Sequence, residues 1–534
     1  MSLFDLIPLG VALAFAYFAG RRLLTYLHIF QQEEYDGARF TRWLAATRSI
    51  DKRLSLALVV LGGVMLVVGY LGALLAAALP AALFIVVAIR EPDPRRQAKK
   101  PLVLTARARR IFAVALAIAI ASGAAAAWVG GNAALLILPV QLLPIDLVLA
   151  NLLLVPLEAR IQHSFWREAH DKLTALSPVV IGITGSYGKT SVKHILGHIL
   201  EAASSVLITP GSVNTPMGIA RIVRERLRRE HRYFVVEMGA YGPGSIARLC
   251  RLAPPTLGLI TAIGKAHFER FKSLDAVART KFELAEAVAA RQGTLITCEP
   301  VLGFAAAKAF AAAHADMMVI CGERAGLALE LVSIRQERDG LAVAVVWHGT
   351  RYDLVAPLFG RHQGANVALA FAAACTLGID PETVRLALRS TPQIAHRLEV
   401  RKLPEGSILI DDGYNANPVG FGAALDLVAG LKEPPGRAIL ITPGMVELGA
   451  AHDEEHRRLG HKAAGMIDVL LAVAPDRIRA FVEAFRQSAG PAATVVPCAN
   501  FAAAKGWLGA NQRGGDVVLI ENDLPDLYER RLSL

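Results

Sequence analysis

Long apolar runs distinguish the first part of this 534-residue chain from the rest. Residues 1–157 are dominated by Leu, Ala, Val and Ile, whereas the later residues alternate apolar and polar positions as globular domains do. The stretch Leu54–Ile89 has no formally charged residue. As one helix it would be about 54 Å long, against a bilayer hydrocarbon core of about 30 Å. The pattern therefore predicts two membrane spans that turn near Gly69–Gly72.

The neighbouring apolar runs predict three more spans. Leu6–Gly20 is followed by Arg21 and Arg22 without a small-residue cleavage site, which favours an uncleaved anchor over a signal peptide. Ile111–Pro156 is again long enough for two spans, which turn near Gly130–Asn132. The pattern thus predicts about five transmembrane helices.

Charge predicts the orientation of these spans. The formal net charge is +11, and the loop Arg90–Arg110 holds eight Lys or Arg residues against two acids. Basic loops between apolar spans are typical of the cytoplasmic side of a membrane, so we attribute the charge to membrane topology and expect no nucleic-acid partner. The N-terminus should lie outside and everything after Glu158 inside. Residues 158–177, with mixed apolar and charged positions, predict a helix that leaves the membrane surface.

A glycine-rich turn opens the globular part. Val179–Thr184 is a short apolar run typical of a buried parallel strand, and the segment after Lys189 has the apolar spacing of a helix. Glycines between a strand and a helix let backbone N–H groups approach phosphate oxygens at the helix N-terminus. Lys189 would reach the β- and γ-phosphates, and the Thr190 hydroxyl would hold Mg²⁺. The sequence therefore predicts an ATP site.

The run "GITGSYGKT", Gly182–Thr190, resembles the phosphate loop of the Mur ligase family, the ATP-dependent amino-acid and peptide ligases of bacterial cell-wall synthesis. Further segments resemble the family in order along the chain, with "IDDGYNANP" most similar to the D-alanyl-D-alanine-adding branch. The apolar runs predict an α-helical transmembrane region, and the resemblance implies that α/β domains follow it, namely a P-loop ATPase central domain and a Rossmann-like C-terminal ligase domain. The predicted domains are residues 1–157 (membrane), 158–177 (linker), 178–394 (central) and 395–534 (C-terminal).

The resemblance also assigns two Mg²⁺ sites. Thr190 and Glu237 would hold one ion, and His267 and Lys281 the other. Lys281 matches a lysine that is carbamylated in much of the family, and a carbamate supplies anionic oxygens of the kind that Mg²⁺ prefers. Lys189, Lys281, His267 and Glu237 are then the expected catalytic residues.

The remaining expected site residues contact the nucleotide or the substrates. The nucleotide contacts implied by the resemblance are Gly185, Ser186, Gly188, Lys189, Thr190, Ser191, Asn366, Arg397, Asp412 and Asn417. The implied substrate contacts are Asn214, Tyr414, Glu447 and His456. Gln363 departs from the family pattern, which has Asn at its place.

Two departures leave the substrates open. The family's soluble UDP-binding domain has no room here, because the membrane region occupies its place in the chain. Acids follow "GDVVLI" in Gly514–Arg530, where the branch has a basic stretch. One alternative is a cell-wall ligase of the D-Ala-D-Ala-adding kind, tethered to the bacterial inner membrane with cytoplasmic catalytic domains. A second is a ligase for a lipid-linked or polymer carboxylate, as in poly-γ-glutamate synthases, and a third is a non-catalytic ATP-binding membrane regulator. The expected partners are ATP, a muramyl-peptide or lipid-linked carboxylate, an amino acid or dipeptide, and the bilayer.

Overall fold

The computed structural model contains two compact units, which meet in the chain between Gln162 and His163. The first is helical, and the second carries two β-sheets. The structure describes residues 3–67, 69–96, 101–130, 133–264, 271–414, 416–446 and 448–523.

The helical unit follows the predicted apolar runs. The helix Ala106–Gly130 ends where one turn is predicted, whereas Gly69–Gly72, the other predicted turn, forms the first turn of the helix Gly69–Arg90. Among the described residues, Ala106–Val129 and Ala133–Leu176 are helical stretches long and apolar enough to cross a membrane. Length and composition thus support two of the five spans, and the other three remain predictions. The helices are α1 (Leu3–Gln32), α2 (Gly37–Thr47), α3 (Lys52–Val67), α4 (Gly69–Arg90), α5 (Ala106–Gly130) and α6 (Ile137–Leu176).

An aromatic cluster and a buried ion network hold this unit together. The rings of Phe18 and Phe84 stack with centroids 5.3 Å apart. Arg22 lies 2.6 Å from Asp51 and 3.0 Å from Glu91, and all three side chains are buried. A buried charge that lost its partner would be costly, so the network ties α1 to the start of α3 and the end of α4.

The predicted linker, residues 158–177, is not a separate helix. It continues the preceding apolar segment as part of α6, with Pro144 and Pro156 inside the helix. A proline removes one backbone hydrogen bond and need not end a helix whose neighbouring turns are intact. The last turns of α6 belong to the second unit, where Ala169 and Leu173 join its apolar core.

The first sheet of the second unit has nine strands in the order β2-β3-β1-β4-β5-β6-β7-β8-β9. It is parallel from β2 to β7, and β7, β8 and β9 form antiparallel pairs. The strands are β1 (Val179–Thr184), β2 (Val206–Ile208), β3 (Tyr233–Glu237), β4 (Leu257–Ile260), β5 (Thr294–Cys298), β6 (Met318–Gly322), β7 (Leu329–Glu337), β8 (Gly340–Trp347) and β9 (Thr350–Ala356). The accompanying helices are α7 (Lys189–Glu201), α8 (Pro216–Arg226), α9 (Ser245–Leu252), α10 (Leu274–Ala289), α11 (Ala305–His314), α12 (Gln363–Thr376) and α13 (Pro381–Leu388).

Gly182 lies inside β1 and serves packing. A Cβ there would lie 2.8 Å from the Leu284 side chain on α10. A Cβ at Gly258 of β4, its partner across the ladder, would lie 3.3 Å from the same leucine. Gly182 therefore lets a helix approach the sheet, and the phosphate loop proper begins at Gly185.

The second sheet has six strands in the order β10-β11-β15-β12-β13-β14, all parallel except the β10–β11 pair. Parallel sheets are covered by helices on both faces, which matches the predicted α/β class. The strands are β10 (Glu399–Lys402), β11 (Ile408–Asp412), β12 (Ala438–Thr442), β13 (Val469–Val473), β14 (Thr494–Cys498) and β15 (Val517–Glu521). The helices are α14 (Pro418–Leu431), α15 (His452–Ala464), α16 (Arg479–Ser488) and α17 (Phe501–Asn511).

Candidate active site

The loop between β1 and α7 has the backbone of a phosphate-binding turn. Gly188 precedes α7 with a φ of 80°, a left-handed conformation that glycine adopts without steric cost. A Cβ at Gly188 would lie 2.5 Å from Asn366 Oδ1, and one at Gly185 would lie 1.9 Å from the Thr261 hydroxyl oxygen. Both glycines are needed for this close approach, and the free N–H groups of the α7 N-terminus suit an anion.

The polar side chains of the loop are held in place. Lys189 folds back so that its ammonium donates to the Gly185 carbonyl at 2.7 Å, and burial lowers its pKa. The Ser186 hydroxyl donates to the Gly264 carbonyl at 3.1 Å and accepts from the Gly264 N–H at 2.9 Å. Ser191 is buried in the first turn of α7. A bound phosphate would therefore have to draw Lys189 from its present partner.

Glu237, the last residue of β3, accepts three hydrogen bonds. The Thr190 hydroxyl donates to Oε2 at 2.9 Å, the Lys193 ammonium lies 3.0 Å from the same oxygen, and Asn214 Nδ2 donates to Oε1 at 3.2 Å. Burial alone would raise the pKa of Glu237, but the ammonium groups of Lys193 and Lys189 outweigh it, so the pKa lies below its usual value. Glu237 is therefore a fixed, ionised carboxylate.

Lys193 is a site residue that the sequence analysis missed. Its side chain has no exposed surface, and its ammonium also donates to the Gly211 carbonyl. Its position in the sequence could have identified it. Lys193 is a lysine in the apolar stripe of α7, one turn after Lys189 and on the same helix face.

Asn214 connects Glu237 to a cavity beside the phosphate loop. Its Oδ1 accepts from the Tyr241 hydroxyl at 2.8 Å, while its amide nitrogen binds Glu237. The cavity is lined by polar and charged side chains and by two aromatic rings. Its lining residues are Gly185, Ser186, Lys189, Asn214, Gly239, Ala240, Tyr241, Phe271 and Lys281.

Lys281 projects into this cavity from α10. Only 3% of it is exposed. Burial and the charge of Lys189 hold its pKa well below the usual value for lysine. A neutral amine is favoured at this position. His267 and Glu447, the other expected ligand and substrate residues, lie outside the described residues.

Residues of the second sheet reach the same region. The Arg397 guanidinium lies over the Tyr414 ring, 4.4 Å from its centroid. The Tyr414 hydroxyl accepts a hydrogen bond from Ser212, which belongs to the loop that carries Asn214. The positive charge of Arg397 also lowers the pKa of Lys189. Arg397 thus lies near enough to the phosphate loop to act on Lys189, and Tyr414 contacts the loop that carries Asn214.

Arg397 is presented by a constrained backbone. His396 and Leu398, on either side of it, have φ values of 59° and 50°, which are uncommon for residues other than glycine. His396 Nδ1 lies 2.8 Å from an Asp411 carboxylate oxygen, and the Leu398 N–H donates to Asp412 at 3.2 Å. Burial raises the pKa of Asp412 to about 6. The two aspartates fix the segment that carries Arg397.

His396, Glu399 and Asp411 could together supply metal-ligand atoms within 4.8 Å of one another. Arg401 already occupies them, with Nη2 2.8 Å from Glu399 and 3.6 Å from Asp411. This guanidinium supplies the positive charge that the carboxylates need, so the group reads as an ion-pair network.

Asn366 lies at the start of α12 against the loop. Its amide donates to Gln363 Oε1 at 2.8 Å, and its own oxygen faces Gly188. Gln363, the residue that departs from the family pattern, therefore orients Asn366.

Two expected ligand contacts are used inside the protein. Asn417 caps α14, with Oδ1 accepting from the N–H groups of Val419 at 3.1 Å and Gly420 at 2.9 Å. His456 is fully buried, accepts from the Met445 N–H at 3.0 Å and has Nδ1 2.7 Å from the His452 carbonyl oxygen. With these partners, Asn417 orders a helix start and His456 orders the loop after β12, and their contacts with nucleotide and substrate remain predictions.

Family models match both sheets of the second unit. The Mur ligase middle domain matches residues 183–374, and the "Mur ligase, glutamate ligase domain" matches residues 396–521. The UDP-N-acetylmuramoyl-tripeptide--D-alanyl-D-alanine ligase of Mycobacterium bovis is 31% identical over 374 residues, which cover 66% of this chain and 71% of that enzyme. The enzyme of the same name from Escherichia coli is 32% identical over 305 residues, which cover 55% of this chain and 64% of that enzyme.

Solved structures agree in fold. The MurF ligase from Thermotoga maritima in complex with ADP has a TM-score of 0.58 at 24% identity and covers 70% of this chain and 82% of its own. MurF from Acinetobacter baumannii has a TM-score of 0.57 at 25% identity and covers 68% of this chain and 77% of its own.

Proposed function

Since the chain belongs to the Mur ligase family, we propose that it is an ATP-dependent ligase that forms an amide bond through an acyl phosphate. The observation that supports this proposal is one cavity lined by Lys189 and Lys281, which Asn214 connects to Glu237. Arg397, from the part of the chain that carries the second sheet, adds positive charge near Lys189. A module that only bound ATP would not need a second buried lysine in that cavity.

The donor atoms suit two Mg²⁺ ions. The Thr190 hydroxyl and the ionised Glu237 carboxylate meet at 2.9 Å, and both are hard oxygen donors. Lys281 fits a second ion only as a carbamate, and its lowered pKa favours the neutral amine that reacts with CO₂. His267 is the proposed companion ligand of Lys281. When bound, Mg²⁺ neutralises charge on the phosphate oxygens and the leaving ADP.

The reaction has two balanced steps. A substrate carboxylate oxygen attacks the γ-phosphorus of ATP, the bond to the β-phosphate oxygen breaks, and an acyl phosphate and ADP result. An amine nitrogen then attacks the acyl carbon, inorganic phosphate leaves, and the nitrogen loses a proton. Lys189 holds the phosphate oxygens in the first step. Asn366, Arg397 and Asp412 grip the nucleotide from both sheets, and this enclosure excludes the water that would hydrolyse the acyl phosphate.

Hydroxylamine tests the acyl phosphate. Full-length protein is incubated with hydroxylamine, ATP, Mg²⁺ and a carboxylate substrate such as UDP-muramyl tripeptide, and the amine substrate is left out. We expect a hydroxamate of that carboxylate to accumulate together with ADP. ADP release without hydroxamate would contradict an acyl-phosphate route, and the Lys189→Ala variant, which should give neither product, controls for contaminating activity.

Of two candidate reactions, the addition of D-Ala-D-Ala in peptidoglycan precursor synthesis is the better supported. It is the activity named for the relatives, which share 31–32% of aligned residues. A lipid-linked or polymer carboxylate is the second candidate, because the helical unit stands ahead of the catalytic part where a UDP-binding domain was expected. Comparing ligation with UDP-muramyl tripeptide and with membrane lipid extracts as the source of the carboxylate distinguishes the two reactions.

The helical unit is proposed to anchor the protein in the bacterial inner membrane with the catalytic part in the cytoplasm. Many large apolar side chains of this unit are exposed to the surroundings, among them Leu56, Val60, Trp128, Leu138 and Leu152. Exposed apolar surface of this extent is costly in water and natural in lipid. A reporter fused after Leu534 should read cytoplasmic, and recovery of the chain from washed membranes only with detergent is expected. A periplasmic readout would overturn the five-span topology.

A further inference from the structure

Asn214 is held from three sides by the segment that follows β3. Its backbone carbonyl accepts from the Gly239 N–H at 3.0 Å. Its side-chain Nδ2 donates to Glu237 Oε1 at 3.2 Å, and its Oδ1 accepts from the Tyr241 hydroxyl at 2.8 Å. Three residues of one short segment thus enclose a single asparagine. Of these three, only Glu237 has been given a part in the proposed reaction.

The chemistry of the groups fixes the direction of these hydrogen bonds. An ionised carboxylate such as that of Glu237 can only accept, so the Asn214 amide turns its nitrogen toward Glu237 and its oxygen away. That oxygen needs a donor, and the Tyr241 hydroxyl provides one. A flipped amide would set its oxygen against the carboxylate oxygen, and both groups are acceptors. The Tyr241 hydroxyl therefore holds Asn214 in the orientation that supports Glu237.

The turn that carries Tyr241 is fixed by the helix that carries the buried lysine of the cavity. The Tyr241 backbone N–H donates to Ser245 Oγ at 3.2 Å. Glu283 of α10 accepts from the N–H groups of Gly244 at 2.6 Å and Ala247 at 2.9 Å, and so caps α9. The turn is thus tied both within itself and to α10.

The side chains of Tyr241 and Asn214 meet in a tightly packed place. A Cβ at Gly239 would lie 2.8 Å from Tyr241 Cε2 and 2.8 Å from Asn214 Oδ1. Even one methyl group there would have to displace the ring or the amide. The absence of a side chain at Gly239 therefore allows the hydrogen bond between Tyr241 and Asn214.

We propose that Tyr241 is a positioning residue of the Mg²⁺ site, which acts through the Asn214 amide to hold the Glu237 carboxylate in place beside Thr190. Loss of a group that hydrogen-bonds a metal ligand typically costs about 10- to 100-fold in metal affinity. Tyr241 acts one hydrogen bond further from the ion, and one lost hydrogen bond corresponds to about a three- to tenfold change. This inference rests on the proposed function.

Binding of Mn²⁺ tests this role without turnover. Mn²⁺ prefers the same oxygen ligands as Mg²⁺, and its free form is measured by electron paramagnetic resonance. Full-length protein is titrated with Mn²⁺ and a non-hydrolysable ATP analogue, and the Mn²⁺ that the analogue binds alone is subtracted. Tyr241→Phe, which removes only the hydroxyl, should raise the Kd for Mn²⁺ about three- to tenfold. The matched control, Tyr352→Phe in β9, should leave the Kd unchanged.

Coupling to Asn214 distinguishes positioning from general damage to the fold. If Tyr241 acts through Asn214, then Tyr241→Phe combined with Asn214→Ala should raise the Kd no further than Asn214→Ala does alone. Additive effects would overturn the inference, and so would an unchanged Kd in Tyr241→Phe.

A second variant tests the packing. Gly239→Ala should also raise the Kd for Mn²⁺, because its methyl group would push Tyr241 and Asn214 apart, and it carries the test if Tyr241→Phe does not fold. An unchanged Kd in Gly239→Ala would count against the inference. If the protein without substitutions binds no Mn²⁺ beyond that bound by the analogue, the proposed metal site fails. Normal Mn²⁺ binding that Tyr241→Phe leaves intact would contradict the role of Tyr241 alone.

Discussion

Lys193 Nζ lies 3.0 Å from Glu237 Oε2, and neither side chain is exposed by more than 2%. The lysine thus supplies, from within the protein, positive charge to the carboxylate that is proposed to hold Mg²⁺. It also donates to the Gly211 carbonyl, at the start of the loop that bears Asn214. Lys193 therefore connects the Glu237 carboxylate to the loop that bears Asn214.

Replacing Lys193 by Met should destabilise the protein strongly. Glu237 would keep a buried charge with one fewer compensating partner, and breaking a buried pair costs about 3 to 5 kcal/mol. Urea unfolding followed by near-UV circular dichroism measures the change. The double variant Lys193→Met with Glu237→Gln should lose less than the sum of the single losses, and additive losses would contradict the pairing.

An exposed ion pair provides the matched control for that experiment. Arg221 and Glu225 are separated by one helical turn on α8 and are largely exposed. Arg221→Met should cost no more than about 0.5 kcal/mol, because solvent screens such pairs.

Lys281→Ala should abolish ligation, because the proposed carbamate oxygens are lost from the second Mg²⁺ site. Short-chain carboxylic acids should restore part of the activity by filling the vacated space with a carboxylate. The steady-state rate of ADP release measures both effects. Lys308→Ala on α11, an exposed lysine, should behave as the unchanged protein does. Full activity of Lys281→Ala without any added acid would refute the assignment.

Arg397→Lys should raise the KM for ATP by roughly tenfold. A lysine lacks the planar guanidinium, which lies over the Tyr414 ring and can bind two phosphate oxygens at once. Tyr414→Leu should have a smaller effect of the same sign, and Tyr414→Phe should keep the stacked ring and lose only the bond to Ser212. Initial rates at varied ATP concentration measure all three. An unchanged KM in Arg397→Lys would remove this residue from the nucleotide site.

The lowered pKa of His456 predicts how the stability of the folded protein depends on pH. Burial lowers its pKa to about 4, from an unfolded value of about 6.5. Between these values the unfolded chain binds a proton that the folded chain does not, so stability falls as pH falls from 6.5 toward 4, by at most about 1.4 kcal/mol per pH unit. Melting temperatures of the protein and of His456→Gln between pH 7 and 5 measure this. The variant should lose less stability over that range, and parallel curves would show that His456 contributes nothing to it.

The phosphate loop was predictable because its chemistry is local. A strand, the loop Gly185–Gly188 and a helix follow one another directly in the sequence, and the structure contains them in that order. The α/β class followed in the same way from short apolar runs that alternate with helical stripes. Asn366 and Arg397 could be placed near the loop only through the family resemblance, because they are distant in sequence.

Other features depended on tertiary neighbours. Gly182 packs against Leu284, a contact between residues a hundred positions apart. The family resemblance implied ligand contacts for Asn417 and His456, and these contacts remain predictions. The helix cap made by Asn417 and the buried hydrogen bonds of His456 depend on the fold and were not predicted. Proline often ends a helix, but α6 continues through Pro156.

The proposed ligase consumes ATP to join a carboxylate to an amine. Purified full-length protein with ATP and Mg²⁺ is therefore given UDP-muramyl tripeptide, an amine substrate, both, or neither, and inorganic phosphate release is measured. We expect sustained phosphate release only when both substrates are present, with one amide product, identified by mass spectrometry, for each phosphate released. Sustained release with ATP alone, or with both substrates but without an amide product, would contradict it.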